Sequence, residues 1–186
     1  GSAVRARLRE GDLFSHATAL ALLGCPIRVP TGCPVDVSSP AAAGPVVCRG
    51  VVGHRHSSPV RPYPCMLPEV EGWIDVVPPL TAALQSATQL PCIELVVALD
   101  YLLLDDPLRY DPRLTVTPGE LEEFARRVSG RGVARFREAA RLARVGAESR
   151  METLMRLCAE RVGMPELQLQ RELYTDSGRW IGRFDA

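Results

Sequence analysis

The chain has 186 residues, no net charge at pH 7 and 46% hydrophobic residues, which is enough apolar content for one ordinary globular domain or two small ones. All 22 basic residues are arginine, so the chain lacks a lysine for a Walker-A loop, a Schiff base or an ExK motif. No apolar run reaches the roughly 18 residues of a membrane span, and the six cysteines form no CxxC pair. We therefore expect a cytoplasmic protein with reduced thiols and no membrane partner.

The N-terminal part predicts a short helix and then an irregular sheet. Ser15 is a typical N-cap for the apolar run at residues 16–23, which Gly24 and Pro26 end. Residues 25–79 are rich in proline, glycine and serine. Their short β-prone pieces, at residues 34–37, 45–49, 51–55 and 72–77, predict a small antiparallel sheet.

Two helices are predicted next, at residues 80–89 and 91–104. The second is apolar on nearly all sides and must be buried. We place Ile93, Val96, Val97 and Leu103 in the core.

The C-terminal part predicts three helices and a hairpin. Thr117 and Glu120 form a capping-box pattern that begins a helix ending near Ser129. After the break at residues 130–132, a second helix is predicted at about residues 133–145. A capped amphipathic helix at residues 148–163 precedes a hairpin of residues 167–174 and 179–185.

The predicted fold class is α+β. A small irregular antiparallel sheet packs on helices, and a helical segment and a final helix with a β-hairpin follow it. The predicted domains are a mixed α/β middle domain at residues 1–112, a helical connector with a basic face at 113–146, and a helix-hairpin unit at 147–186.

Arginine is concentrated between residues 124 and 144, where the only acid is Glu138. Such a patch favours binding to nucleic-acid phosphate, although a basic helix face that is merely solvated has the same composition. The candidate nucleic-acid-binding residues are Arg126, Arg127, Arg131, Arg135, Arg137, Arg141 and Arg144.

Carboxylates near the C-terminus form the first candidate catalytic site. Glu152 on the final helix, and Gln170 and Asp185 on the hairpin, could bring oxygen ligands to one divalent cation. Each of them could also be an ordinary helix or strand residue facing water.

Histidines form the second possible site. His54 and His56 alternate on a predicted strand, so both rings could meet one zinc ion, with Cys48 and Cys65 on either side. The spacing of the thiols matches no closed Cys/His motif, and an exposed loop is the alternative. His16 is interpreted as a structural hydrogen-bonding group at a helix start.

Several segments resemble known proteins. The helix at 148–163 with its hairpin is similar to the start of a PD-(D/E)xK nuclease, whose next strand would supply a carboxylate and a lysine. Residues 14–26, 49–55, 94–100 and 148–156 resemble, in order, a family from GC-rich bacteria known as AbiEi-like type IV antitoxins, or as endonuclease-domain proteins related to very-short-patch-repair nucleases.

The resemblance implies a three-part protein with a winged helix, a middle α/β region and a nuclease-like domain. This chain would hold the middle region and an incomplete start of the nuclease-like part. Glu152 matches the helix acid of the family and Asp185 the strand acid, and Gln170 is a weaker match. The segment at residues 81–87 lacks the acid that relatives often carry there.

Three functions follow as expectations. The first is a DNA-interacting regulatory or antitoxin-type protein whose nuclease-like part is inactive in this form. The alternatives are a fragment of a metal-dependent DNA endonuclease and a structural protein-interaction module. No cofactor is expected unless further residues complete a Mg²⁺ site, and the expected partners are duplex DNA, a cognate toxin or a second copy of the chain.

Overall fold

The structure, a computed structural model, describes residues 8–56, 60–67, 72–105, 111–165 and 171–184. Within these ranges it contains six α-helices, a five-stranded sheet and a separate two-stranded sheet. The predicted α+β class is confirmed. No helix in these ranges is both long and apolar enough to cross a membrane.

The five-stranded sheet is mixed, whereas the sequence predicted an antiparallel one. Its strands are β1 (Leu13–Phe14), β2 (Val35–Pro40), β3 (Val51–His56), β4 (Tyr63–Leu67) and β5 (Gly72–Val76), in the spatial order β3-β2-β1-β5-β4. β2 pairs in parallel with β3, and β1 pairs in parallel with β5, whereas the β1–β2 and β4–β5 pairs are antiparallel. The parallel pairs arise because the connection from β2 to β3 crosses over, and because the two-residue β1, which local sequence does not reveal, lies between β2 and β5.

The segment between β2 and β3 is a crossover connection, so the predicted strand at residues 45–49 does not form. It contains a 3-10 turn at Ala41–Ala43, and residues 45 and 46 run directly across β3. A side chain at Gly53 would collide with the backbone of Val46, so the close approach requires glycine at this position. The sequence did not predict β4, because this strand contains Pro64 and a proline cannot donate a backbone hydrogen bond to a neighbouring strand.

Helices α1 (His16–Leu22), α2 (Pro79–Ser86) and α3 (Cys92–Leu103) form the first helical group. α1 packs on α2 and β2, and α3 is buried along most of its length. Of the predicted core residues, Val96, Val97 and Leu103 are buried. The placement of Ile93 is wrong, because its position at the start of α3 leaves it 40% exposed.

Helices α4 (Pro118–Arg127) and α5 (Val133–Leu142) lie against this group. The predicted capping box is confirmed, since the Thr117 side chain accepts from Glu120 N and the Glu120 side chain accepts from Thr117 N. α5 packs on α3 and buries Phe136 completely.

The last elements are α6 (Arg150–Arg161), β6 (Arg171–Tyr174) and β7 (Trp180–Phe184). The Ser149 side chain accepts from Glu152 N, so the predicted cap of this helix is confirmed. β6 and β7 pair as the predicted antiparallel hairpin. α6 packs on α3, and the three-domain division of the chain stays a prediction.

Candidate functional site

The turn from β1 into α1 places one histidine in a strained conformation. His16 has a φ of 52°, and it is the only non-glycine residue with positive φ in the described ranges. Ser15 N donates to Asp36 O at 3.1 Å, and His16 N donates to Gln85 Oε1 at 3.3 Å. Non-glycine residues in this region cost free energy and concentrate at functional sites. The fold therefore enforces the backbone conformation of His16.

Asp36 on β2 and His54 on β3 are brought together by the parallel pairing of their strands. His54 Nε2 donates to Asp36 Oδ1 at 2.7 Å. Gln89 Nε2 donates to the same oxygen at 2.9 Å, and Asp36 N donates to Thr18 Oγ1 at 2.9 Å. Asp36 is only 6% exposed, and the donors that its buried carboxylate needs come from β3 and from the segment after the helix Pro79–Ser86.

The rings of His16 and His54 stack, with centroids 3.7 Å apart and planes 22° from parallel. Burial lowers the pKa of His16 to about 4, and the neighbouring His54 acts in the same direction, whereas Asp36 opposes both. His16 is therefore neutral at pH 7. Its Nδ1 lies 3.0 Å from Ser15 Oγ, and an Nδ1–H that donates to this oxygen leaves the Nε2 lone pair available.

Ser38 adds an unusual hydroxyl next to these groups. It lies opposite His54 in the β2–β3 register and two residues from Asp36, so it shares their face of the sheet. The side chain is 1% exposed, and its Oγ has no hydrogen-bond partner within the described parts of the chain. A buried hydroxyl without a partner is uncommon and indicates room for a further polar group.

We call His16, Asp36 and His54 the His–Asp cluster. One donor atom from each of these residues lies within 4.8 Å of the others, so the three could hold a metal ion. Among the described residues, His56, Cys48 and Cys65 are not members of this group, although the sequence suggested them. β1, β2 and β3 decide the membership, because they bring distant segments together.

Sequence reasoning treated His16 and His54 separately and missed Asp36. A usable signal was present, because Asp36 and Ser38 alternate with the apolar Val35 and Val37 on a β-prone segment. Polar residues on one face of a strand that is otherwise suited to burial indicate either an exposed face or a buried polar site.

Of the predicted carboxylate site, only Glu152 lies within the described residues. Its carboxylate accepts from Glu148 N at 2.9 Å, and the residue is 8% exposed. Glu152 thus caps the beginning of its own helix. Gln170 and Asp185 lie outside the described residues, so the grouping of the three stays a prediction.

Two ion pairs join α3 to α6. Glu94 binds Arg150, with 2.8 Å between Oε1 and Nη2. Asp100 binds Arg156, with 2.8 Å between Oδ2 and Nη2, and both side chains are 1% exposed. Thr153 Oγ1 also donates to Asp100 Oδ2 at 2.9 Å. These polar residues hold the two helices together.

Several of the seven candidate arginines have structural contacts. Arg135 Nη1 donates to Ala87 O at 2.8 Å, and Arg144 Nη1 donates to Arg141 O at 2.8 Å. Arg137 on α5 donates to three carbonyls at the C-terminal end of α4, those of Ala125, Arg126 and Val128. Arg126 and Arg127, in the last turn of α4, form ion pairs with Glu123. For the Arg131 and Arg141 guanidinium groups, the described structure shows no partner.

A groove of about 640 Å³ runs between α4 and α5. Leu103, Leu121 and Ala140 contribute apolar surface to it. Its charged lining consists of Glu122, Arg126, Arg137, Arg141 and Arg144. Four of the seven predicted basic residues therefore surround an apolar floor.

Comparisons of this chain with protein-family models, with curated proteins and with solved structures found no match.

Proposed function

We propose that this chain is a DNA-interacting regulatory or antitoxin-type module that contacts duplex phosphates through α4 and α5. The observation that carries the proposal is the exposure of six of the seven candidate arginines on this helix pair and its connection. Arginine binds phosphate through a planar fork of N–H donors. The resemblance of four segments to AbiEi-like antitoxins supports a regulatory role.

Contacts within the helix pair favour phosphate binding. The Arg137 guanidinium donates to Ala125 O at 2.8 Å and to Val128 O at 2.9 Å, so its side chain is already ordered before a ligand arrives. A guanidinium has five donors, and those that are not engaged remain for an anion. Such ordering reduces the entropy lost on binding.

The best arginines to test are those whose charge is not offset by an acidic residue on the same helices. Glu123 offsets the charge of Arg126 and Arg127, with which it pairs. Arg131 and Arg141 are exposed, and no acid pairs with them in the described structure. The proposal therefore assigns them a large share of the affinity.

A protein-binding use of the same surface is the second candidate function. The groove between α4 and α5 combines an apolar floor with arginines at Arg126, Arg137, Arg141 and Arg144. An acidic, amphipathic segment of a cognate toxin or of a second copy of this chain would complement it. The endonuclease alternative has less support, because the Glu152 carboxylate caps its own helix.

The test is binding of a fluorescent duplex of random sequence by the parent chain and by the double variant Arg131→Glu/Arg141→Glu over a series of salt concentrations. We expect the variant to bind at least about tenfold more weakly at low salt. The slope of log K against log salt should also be shallower by roughly 0.9 for each lost phosphate contact. Arg135 is unsuitable for this test, because it also links α5 to the end of α2 through Ala87 O.

The matched control is Arg49→Glu, which reverses one exposed charge in the crossover before β3, away from α4 and α5. This variant should bind like the parent. Equal losses per reversed charge in both variants would show a non-specific effect of net charge, and an absence of duplex binding by the parent would contradict the proposal. Binding of an acidic peptide that depends on Arg141, without any duplex binding, would favour the second candidate.

A further inference from the structure

We propose that His16, Asp36 and His54 form a binding site for one divalent transition-metal ion of the zinc class. Two imidazole nitrogens and one carboxylate oxygen are a donor set that zinc uses when three protein groups leave a fourth position open. The proposal is independent of the DNA-interacting function, because the His–Asp cluster shares no residue with the α4–α5 surface.

The distances require only a local rearrangement. The three donor atoms lie within 4.8 Å of one another. Bonds of about 2.0–2.2 Å to zinc separate two tetrahedral ligands by roughly 3.4 Å. Rotation of the stacked His16 and His54 rings brings their nitrogens towards a common point. Zinc replaces the proton that His54 Nε2 donates to Asp36 Oδ1. A neutral ring takes up a proton from solvent at Nδ1 in exchange, and a doubly protonated ring releases the Nε2 proton to solvent and keeps the one on Nδ1.

Residues around the His–Asp cluster form hydrogen bonds that would orient its side chains for binding a metal. Ser15 Oγ lies beside His16 Nδ1 at 3.0 Å, and the tautomer in which Nδ1–H donates to this oxygen leaves Nε2 for a ligand bond. Gln89 orients the Asp36 carboxylate through a 2.9 Å hydrogen bond. Outer contacts of this kind set the tautomer and the direction of metal ligands.

Two further observations point to a ligand at this site. The buried Ser38 Oγ has no partner in the described structure, and it lies on the same face as Asp36 and His54, where a metal-bound water could reach it. His54 is also accessible, with 25% of its side chain exposed. An ion can therefore enter from the side of β3.

Co²⁺ absorption distinguishes an ion bound by cysteine thiolates from one bound by the His–Asp cluster. The chain contains six cysteines and only three histidines. Thiolate ligation of Co²⁺ produces an intense charge-transfer band in the near ultraviolet, whereas nitrogen and oxygen ligation does not. Because there are only three histidines, NMR of the ¹⁵N-labelled protein can follow the imidazole resonances of each one separately.

The experiment combines calorimetric titration of the metal-free full chain with Zn²⁺, Co²⁺ absorption and imidazole NMR. We expect one ion per chain and no thiolate band. The His16 and His54 resonances should shift on binding. His54→Gln and Asp36→Asn should each weaken the affinity at least about tenfold, with circular dichroism reporting whether they remain folded. The NMR result on the parent protein needs no variant.

The matched control is His56→Gln, on the same strand and the same face as His54 but outside the cluster. It should keep the affinity of the parent within about twofold. Four results would each overturn the proposal: no stoichiometric binding by the parent, a thiolate band, unchanged His16 and His54 resonances, or an equal loss in His56→Gln.

Discussion

Val97 and Ile93 show how position on one helix sets the environment of a residue. Both lie on α3, but Val97 is 1% exposed and Ile93 is 40% exposed. Val97 lies three residues from both Glu94 and Asp100, so it is central to the helix face that α6 covers. Ile93, four residues earlier on the same side, lies in the first turn of α3, where the cover is incomplete. Two side chains of similar hydrophobicity are therefore buried to different extents.

Truncation of these two side chains should have unequal effects. Val97→Ala removes two buried methyl groups, so we expect it to lower the free energy of unfolding by about 1–3 kcal/mol. Ile93→Ala, the matched control, should change it by less than about 0.5 kcal/mol, as is usual for a surface substitution. Urea unfolding of the two variants measures both values. Equal losses would show that the Ile93 side chain is as buried as that of Val97.

Two ion pairs that differ in burial join α3 to α6. Because of this difference, we expect them to contribute unequally to the free energy of unfolding. The Asp100–Arg156 side chains are both 1% exposed, whereas Arg150 in the other pair is 19% exposed. Burial raises the pKa of Asp100, although hydrogen bonds from Arg144 N, Arg156 and Thr153 oppose this shift. Removal of Arg156 would therefore leave a buried charge with no cationic partner.

We expect Arg156→Met to lower the free energy of unfolding at pH 7 by about 3–5 kcal/mol, as for other broken buried pairs. Arg150→Met should cost less, because solvent screens the more exposed Glu94–Arg150 pair. Denaturant unfolding of both variants at pH 7 tests this order. A smaller loss in Arg156→Met than in Arg150→Met would contradict the role assigned to the buried pair.

The pH dependence of Arg156→Met gives a separate check. The pKa of Asp100 is raised in the folded chain, so protonation of this group favours the folded state. The corresponding stability is present below the unfolded pKa of about 3.9 and is lost as the pH rises through the folded value. The deficit of Arg156→Met should therefore shrink as the pH is lowered towards 4, whereas a constant deficit would point to lost packing alone.

On the scale of the whole molecule, α6 and the hairpin differ in their attachment. α6 packs on α3, whereas among the described residues β6 and β7 pack mainly on each other. Tyr174, Trp180 and Ile181 are each more than half exposed. A two-stranded hairpin is marginally stable by itself, so it adds little to the stability of the remaining fold.

Truncation of the chain tests this difference. Removal of residues 165–186 should shift the melting temperature by less than about 2 °C, which corresponds to roughly 0.5 kcal/mol for a domain of this size. Removal of residues 147–186 should unfold the protein, because it strips α6 from α3 and so exposes the apolar face around Val97 while it also removes the arginines that pair with Glu94 and Asp100. A large loss of stability from the shorter truncation would show that the hairpin packs on the other elements.

Local sequence was sufficient to predict the six helices of the described residues, the antiparallel hairpin at 171–184 and the α+β class. Helix boundaries follow from side chains within one turn, such as the reciprocal hydrogen bonds of Thr117 and Glu120, and burial of α3 follows from its continuous apolar composition. The seven arginines were also visible, because charge density is a property of composition. These features depend on interactions between residues that are close in the chain.

Only the tertiary structure decided the strand order, the structural partners of Arg135 and Arg137, and the His–Asp cluster. The cluster joins His16, Asp36 and His54 through the pairing of β1 with β2 and of β2 with β3. Strand partners are selected by packing of the whole sheet, and a β-prone segment does not encode its neighbour locally. Residues far apart in sequence therefore became one candidate site only when the sheet was assembled.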